Sequence, residues 1–266
     1  MSAVLGLFRM RFARGLSYRS AALAGIATQF FFGLVFISVF QAFSRESASP
    51  PLSDAQISTY IWLQQAFLAL SAVWIRDGGL IDLIQRGDAA YELCRPLDVY
   101  AFWFSRTAAQ RASAAALRCL PILIVAVFLP EPFRLSPPAS WGAAALFLPA
   151  LALGLALATA LSMFAYALTV ATLSANAAFF LFAPVMEILS GNLLPLPFMP
   201  DRLSAVLAWL PFRFCADFPY RLYCGSLSPA QALPAMGAGL AWLAILALLG
   251  KAALDAALAR SRQPGG

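Results

Sequence analysis

The feature that most constrains this chain is a series of long runs without charge, separated by short clusters of charged residues. The first run, Ser20 to Phe43, carries Gln29 and Gln41 but no charged side chain. A helix of about 20 apolar residues rises about 30 Å, the thickness of a bilayer's hydrocarbon core. Such a run satisfies every backbone N–H and C=O internally, as lipid requires. A second run, about Ala55 to Ile75, contains the adjacent pair Gln64 and Gln65, which predicts that this face meets other helices or a cavity. Further runs cover about Thr107 to Leu129, Trp141 to Ala165 with an extension to Thr172, Ala175 to Leu194, and Ala230 to Leu254. A turn at Leu173-Ser174 separates the fourth from the fifth.

Composition agrees. Hydrophobic residues make up 62% of the 266 residues, charged ones 11%, and mean hydropathy is +0.79. A soluble domain carries roughly 25% charged residues. The expected fold class is an all-α integral membrane protein with six transmembrane helices, forming one domain over residues 1–266. Residues 1–19 place Arg9, Arg11, Arg14 and Arg19 among Leu5, Leu7, Phe8 and Phe12. They predict an amphipathic segment on the cytoplasmic membrane surface, leading into a retained first helix.

The net charge of +6 follows topology and gives no sign of a nucleic-acid partner. With six spans, twelve of the 18 Lys and Arg fall on the side of the termini, five on the other, and Arg118 within a span. Both termini and the interval 76–106 are therefore expected in the cytoplasm. Arg outnumbers Lys and Ala is abundant, which points to a GC-rich bacterium and its inner (plasma) membrane.

Several chemistries are excluded. The chain has no histidine, so His-based acid–base catalysis and His metal sites are absent. Its four cysteines, Cys94, Cys119, Cys215 and Cys224, form no CxxC pair. Gly250-Lys251 is followed by Ala252, so there is no phosphate-binding GxxxxGK[ST] loop. No catalytic residue, metal ligand or bound cofactor is expected on this chain.

The interval 76–106 is the most informative. From Gly79 to Gly87 it begins as an amphipathic helix with Leu80, Leu83 and Ile84 on one face, and the Arg95-Pro96 step ends the element. Periodicity allows a helix lying on the membrane or one docking into a soluble partner. The pattern GxxxxxLxRPL, here Gly87 to Leu97, resembles the cytoplasmic segment of ABC-2 type exporter permeases. A second block is also similar to theirs: Leu189-Ser190-Gly191-Asn192-Leu193-Leu194-Pro195-Leu196-Pro197-Phe198-Met199-Pro200, then Leu210-Pro211-Phe212 and Tyr223-Cys224-Gly225.

The resemblance implies a transmembrane subunit that pairs with a second permease chain, identical or related. Each chain would contact a separate ABC ATPase, which carries ATP and Mg. It places the coupling region at residues 79–96, with Gly79, Leu80, Leu83, Ile84, Gly87, Tyr91, Leu93, Arg95 and Pro96 as ATPase-contacting positions. It also implies an outer re-entrant helical segment at about 195–225. Gly191, Asn192, Pro195, Pro197, Pro200, Pro211 and Phe212 would shape the outer gate. The mostly apolar spans and small outer loops suit an amphipathic or lipid-like cargo. A passive channel, a lipid scramblase and a non-transporting membrane anchor are the alternatives.

Arg118 and Glu187 lie within spans at similar predicted depth and are candidates for an intramembrane pair, since a lone charge there costs about 2.5–3.5 kcal/mol. Cys215 and Cys224, both on the predicted outer side, are a candidate disulfide. Phe198, Trp209, Phe212, Phe214, Phe218, Tyr220 and Tyr223 read as an interfacial aromatic belt.

Overall fold

The computed structural model describes residues 2–17, 19–47, 49–92 and 98–261, and these contain helices but no strand. Helix α1 (Ser2–Gly15) precedes the long α2 (Arg19–Glu46). Helix α3 (Asp54–Ser71) starts at a reciprocal cap. The Ser53 hydroxyl accepts from the Gln56 N–H, and the Gln56 side chain accepts from the Ser53 N–H. Two short helices follow, α4 (Gly78–Gln85) and α5 (Ala89–Glu92). Then come α6 (Val99–Phe128), α7 (Trp141–Thr172) and α8 (Ala175–Leu189). Helices α9 (Asp201–Leu207) and α10 (Asp217–Tyr223) and two 3₁₀ turns fill the interval before α11 (Pro229–Ser261).

Among the described residues, four helices are long and apolar enough to cross a membrane: Ala22–Glu46, Val99–Phe128, Trp141–Thr172 and Pro229–Arg260. Their outward side chains would be untenable in water. Phe128 is 82% exposed, and Phe31, Leu120 and Leu248 are exposed as well. Helix α7 is the axial element, with 56% of its apolar window buried against 17% for the last helix. It packs along α11, and α2, α3 and α6 form the other half of the core.

Boundaries differ from the sequence reading for local reasons. Helix α6 starts at Val99, eight residues before the expected Thr107, because the Asp98 side chain accepts from the Ala101 N–H and caps it. The charged stretch containing Arg106 and Arg111 is therefore helical. Helix α8 ends at Leu189, short of Leu194, and at 1.5 Å per residue spans about 22 Å.

Helix α3 is the least lipid-like of the long helices because most of its surface is buried in protein. Gln64 and Gln65 are both buried, as expected, and Gln64 donates to the Asn192 carbonyl. The start of α3 meets the end of α6, and the end of α3 meets its middle. The Ser58 hydroxyl lies at 2.5 Å from the Pro132 carbonyl, beyond the end of α6, whereas Arg111, midway along that helix, donates to the Leu70 carbonyl at 3.1 Å. The two helices thus run antiparallel along their shared length.

The 195–225 interval dives along α7. The Tyr223 carbonyl accepts from the Ala139 N–H at the start of α7. The Phe214 carbonyl instead faces Gly154, about 20 Å further along that helix. A Cβ at Gly154 would lie 2.7 Å from that carbonyl oxygen, so glycine is what permits the approach. Phe214, Phe218 and Tyr220 are consequently buried and not part of an interfacial belt, while Trp209 is 83% exposed.

Candidate functional site

The expected coupling region begins at a tightly built corner. Asp77, just before α4, caps that helix by accepting from the Leu80 N–H at 3.1 Å. The same carboxylate is gripped by Arg106 of α6, which donates Nη2 to Oδ1 at 2.8 Å and Nε to Oδ2. The Asp77 N–H donates to the Tyr166 hydroxyl of α7 at 3.0 Å. One residue therefore ties α4 to both α6 and α7. Gly79 is needed here because a Cβ would meet the Arg106 Nη2 at 2.8 Å.

At its far end α4 closes with a left-handed Gly87, φ +79°. The Asp88 N–H reaches back to the Leu83 carbonyl and the Gly87 N–H to the Ile84 carbonyl, the double bond pattern of a Schellman terminus. Leu80, Ile81 and Ile84 point into the core beside α7 and Leu83 is partly buried. The apolar positions Leu80 and Ile84 thus face this chain's own core, because an amphipathic helix with a free choice buries that face. The surface left for a partner is polar: Gly79, Asp82, Gln85, Arg86 and Gly87 are exposed. The Tyr91 backbone is helical in α5, and Leu93, Arg95 and Pro96 lie outside the described residues.

Of the residues expected at an outer gate, Gly191 and Asn192 lie against α3. Gly191 has φ +84°, and a Cβ there would press on Leu196, Asp217 and Tyr60 at 2.8–3.0 Å. Tyr60 donates to Asp217 at 3.0 Å, and the Asn192 side chain donates to the Ser71 hydroxyl at 2.8 Å. Pro195 and Pro211 start the two 3₁₀ turns, Pro200 precedes α9, and Pro197 and Phe212 lie half-buried within those turns.

Within this chain, neither of the two expected pairs is formed. No ion pair joins Arg118 to Glu187 among the described residues. Glu187 accepts from the Trp74 indole at 3.1 Å beside α8, whereas the Arg118 guanidinium abuts Gly25 of α2. Equal depth in two helices does not decide which way each side chain points. Cys215 and Cys224 are free thiols. Helix α10 lies between them and holds them about 10 Å apart along its axis, beyond the reach of a disulfide. Each thiol instead bonds back to a carbonyl, Cys215 to Pro211 and Cys224 to Arg221.

Sequence reasoning missed the Asp77–Arg106 corner and the fully buried Arg111, whose guanidinium donates to Leu70 and to the Ser162 hydroxyl at 2.8 Å. It also missed Lys251 of α11 pairing with Asp98. Arg106, Arg111 and Lys251 entered the topology count only as charges, and Asp77 and Asp98 did not enter it. Their spacing carried no signal, because each partner lies on a different helix.

A cavity of about 630 Å³ opens beside the Asp77 corner, between α1, the start of α2 and α6. Arg11, Arg14, Arg106 and Arg118 line it, with Asp77 as the one carboxylate among the described lining residues. Burial and the neighbouring Arg106 charge push the Arg11 guanidinium below its usual value, despite attraction from Asp77. No group of three Cys, Asp or Glu is placed to hold a metal among the described residues.

The family model described as "ABC-2 family transporter protein" matches residues 53–263, from the cap of α3 to beyond the end of α11. No curated protein matches the sequence. The matched region contains the corner-anchored α4, the 195–225 interval and three of the four long apolar helices. This chain belongs to the ABC-2 family of transporter proteins and is a multi-pass membrane permease component of an ABC transporter.

Proposed function

We propose that this chain is the membrane-spanning half of an ATP-driven exporter in a bacterial inner membrane. It pairs with a second permease chain, and a separate ATPase docks on residues 79–96 to drive an amphipathic or lipid-like cargo outward. The observation that carries this reading is the anchoring of α4. Its partner-facing residues Asp82, Gln85 and Arg86 are exposed, while its cap residue is locked to α6 and α7. A push on α4 would therefore be passed to two long helices through Asp77, as a rigid corner rather than a floppy loop. Any transport this chain carries out draws its energy from the partner, which holds ATP and Mg.

Six crossings remain our reading. Helix α3 extends along most of α6, and α8 is completed toward the outside by the segment at 195–225, which enters along α7 and returns. This topology puts both termini and α4 on the cytoplasmic side. The test is co-purification. The wild-type chain should retain an ATPase from its native membrane, and the double charge reversal D82K/R86E should reduce that retention about tenfold without altering the chain's own melting. Retention unchanged by D82K/R86E would reject α4 as the docking surface. Flux through the purified chain without ATP would reject the driven mechanism.

A further inference from the structure

The cavity between α1, α2 and α6 has a composition that coupling does not require. Arg106, Gln110, Ser113, Leu117 and Arg118 recur at helical spacing, so they lie along one face of α6 and line the cavity. From Arg106 to Arg118 that face is about 18 Å long. Gly15, at the end of α1, sits against the Ser113 hydroxyl, so α1 forms the opposite wall.

The charges in this groove are unbalanced. Arg106 is engaged by Asp77. Among the described residues no carboxylate comes within ion-pair distance of Arg11, Arg14 or Arg118, although Asp77 and Glu92 attract Arg11 from further away. The Arg118 Nε is buried and has no hydrogen-bond partner. A buried donor left in that state is destabilising, a reason for it to be met by a ligand. Beside the polar Gln110 and Ser113, the wall carries the apolar Ala22, Ile75, Ala114 and Leu117. Cations interleaved with apolar carbon suit a molecule with an anionic head and a hydrocarbon stem. Basic pockets between membrane helices on the cytoplasmic side are where anionic headgroups bind.

We propose that this cavity binds a phosphate-bearing anion, the headgroup of an anionic phospholipid from the cytoplasmic leaflet, through Arg11, Arg14 and Arg118. The choice of leaflet rests on the topology proposed above, whereas the binding itself does not. The volume, about 630 Å³, is that of a small-molecule site and admits a headgroup with the first carbons of its chains.

The test uses the full chain purified in a neutral detergent, with no ATPase present, so its result is independent of the transport mechanism. Dioleoylphosphatidylglycerol and dioleoylphosphatidylcholine are titrated separately and bound lipid is read by native mass spectrometry. Inorganic phosphate is added as a competitor. Phosphatidylglycerol should bind at least about tenfold tighter than phosphatidylcholine, and R14Q and R118Q should each weaken it about tenfold. R202Q removes the same charge from exposed α9 and should change nothing. Arg14 is exposed, so R14Q tests the site even if R118Q does not fold. Competition only at millimolar phosphate assigns the ligand to lipid, and phosphate binding as tight as the lipid's assigns it to the free anion. Equal binding of the two lipids without phosphate competition overturns the site, as does a loss in R202Q equal to that in R14Q.

Discussion

Replacing Asp77 by asparagine separates the two roles that this residue combines. Asparagine is as good a helix cap as aspartate, so the bond from the Leu80 N–H survives. What is lost is the charge facing Arg106, in a pair whose side chains are only 9% and 11% exposed. Removing one partner of a buried pair costs about 3–5 kcal/mol, because the other charge stays buried alone. The asparagine oxygen still accepts one hydrogen bond, which puts D77N near the lower end, about 3 kcal/mol. D77A also loses the cap, worth about 1 kcal/mol, and should cost about 4 kcal/mol. Replacing both partners with apolar residues, D77L/R106M, leaves no stranded charge. It should recover most of the loss apart from the cap, since such exchanges are often neutral. Reversible unfolding in mixed micelles, titrated with a denaturing detergent and followed by tryptophan fluorescence, gives these differences directly. A D77N protein within about 0.5 kcal/mol of wild type would refute the argument that Asp77 holds Arg106. A double variant as unstable as D77A plus an additive R106M loss would refute the stranded-charge explanation.

Two further outcomes follow from single contacts. Cys215 and Cys224 should both react with a maleimide after denaturation without reductant, and mass spectrometry should find no linked peptide between them; a linked peptide from freshly isolated protein would contradict the separation imposed by α10. Asp98 titrates in the direction that favours its charged form, since partial burial is outweighed by the hydrogen bonds from Lys251 and the Ala101 N–H. Its folded value is depressed, so its contribution is fully present above the unfolded value of about 3.9 and disappears as pH falls through the lower folded value. The stability difference between wild type and D98N should therefore be constant from pH 7 to pH 5 and shrink only in stronger acid. A difference that shrinks near pH 6 would rule that assignment out.

The apolar runs were readable in advance because crossing a bilayer imposes a length and a composition on the helix itself. Ser20 to Phe43 and Trp141 to Thr172 are such runs, and α2 and α7 formed over them. Boundaries set by a single cap were harder to see. Asp98 starts α6 well before its apolar stretch, and a capping aspartate in a charged interval looks like any other loop residue. Helix α3 shows the limit of hydropathy. Its Gln64 amide N–H, Tyr60 and Ser58 bond to groups of Asn192, Asp217 and Pro132, so its polar side chains are met by protein and it does not carry a strong apolar signature.

For the candidate site, sequence alone determined the segment and its amphipathic character: Gly79 to Gly87 carries a helix with one apolar face, ended by glycine. That much follows from periodicity and backbone chemistry, which are local. Which face points inward, which arginine meets Asp77, and which of Arg118's possible neighbours it meets were decided only by tertiary structure. The physical reason is that an ion pair or a thiol bond depends on the direction of a side chain between helices distant in sequence. Depth along a span fixes one coordinate of a charge, whereas rotation about the helix and the choice of neighbour fix the others. Arg118 is turned toward Gly25 and a basic cavity instead of toward Glu187.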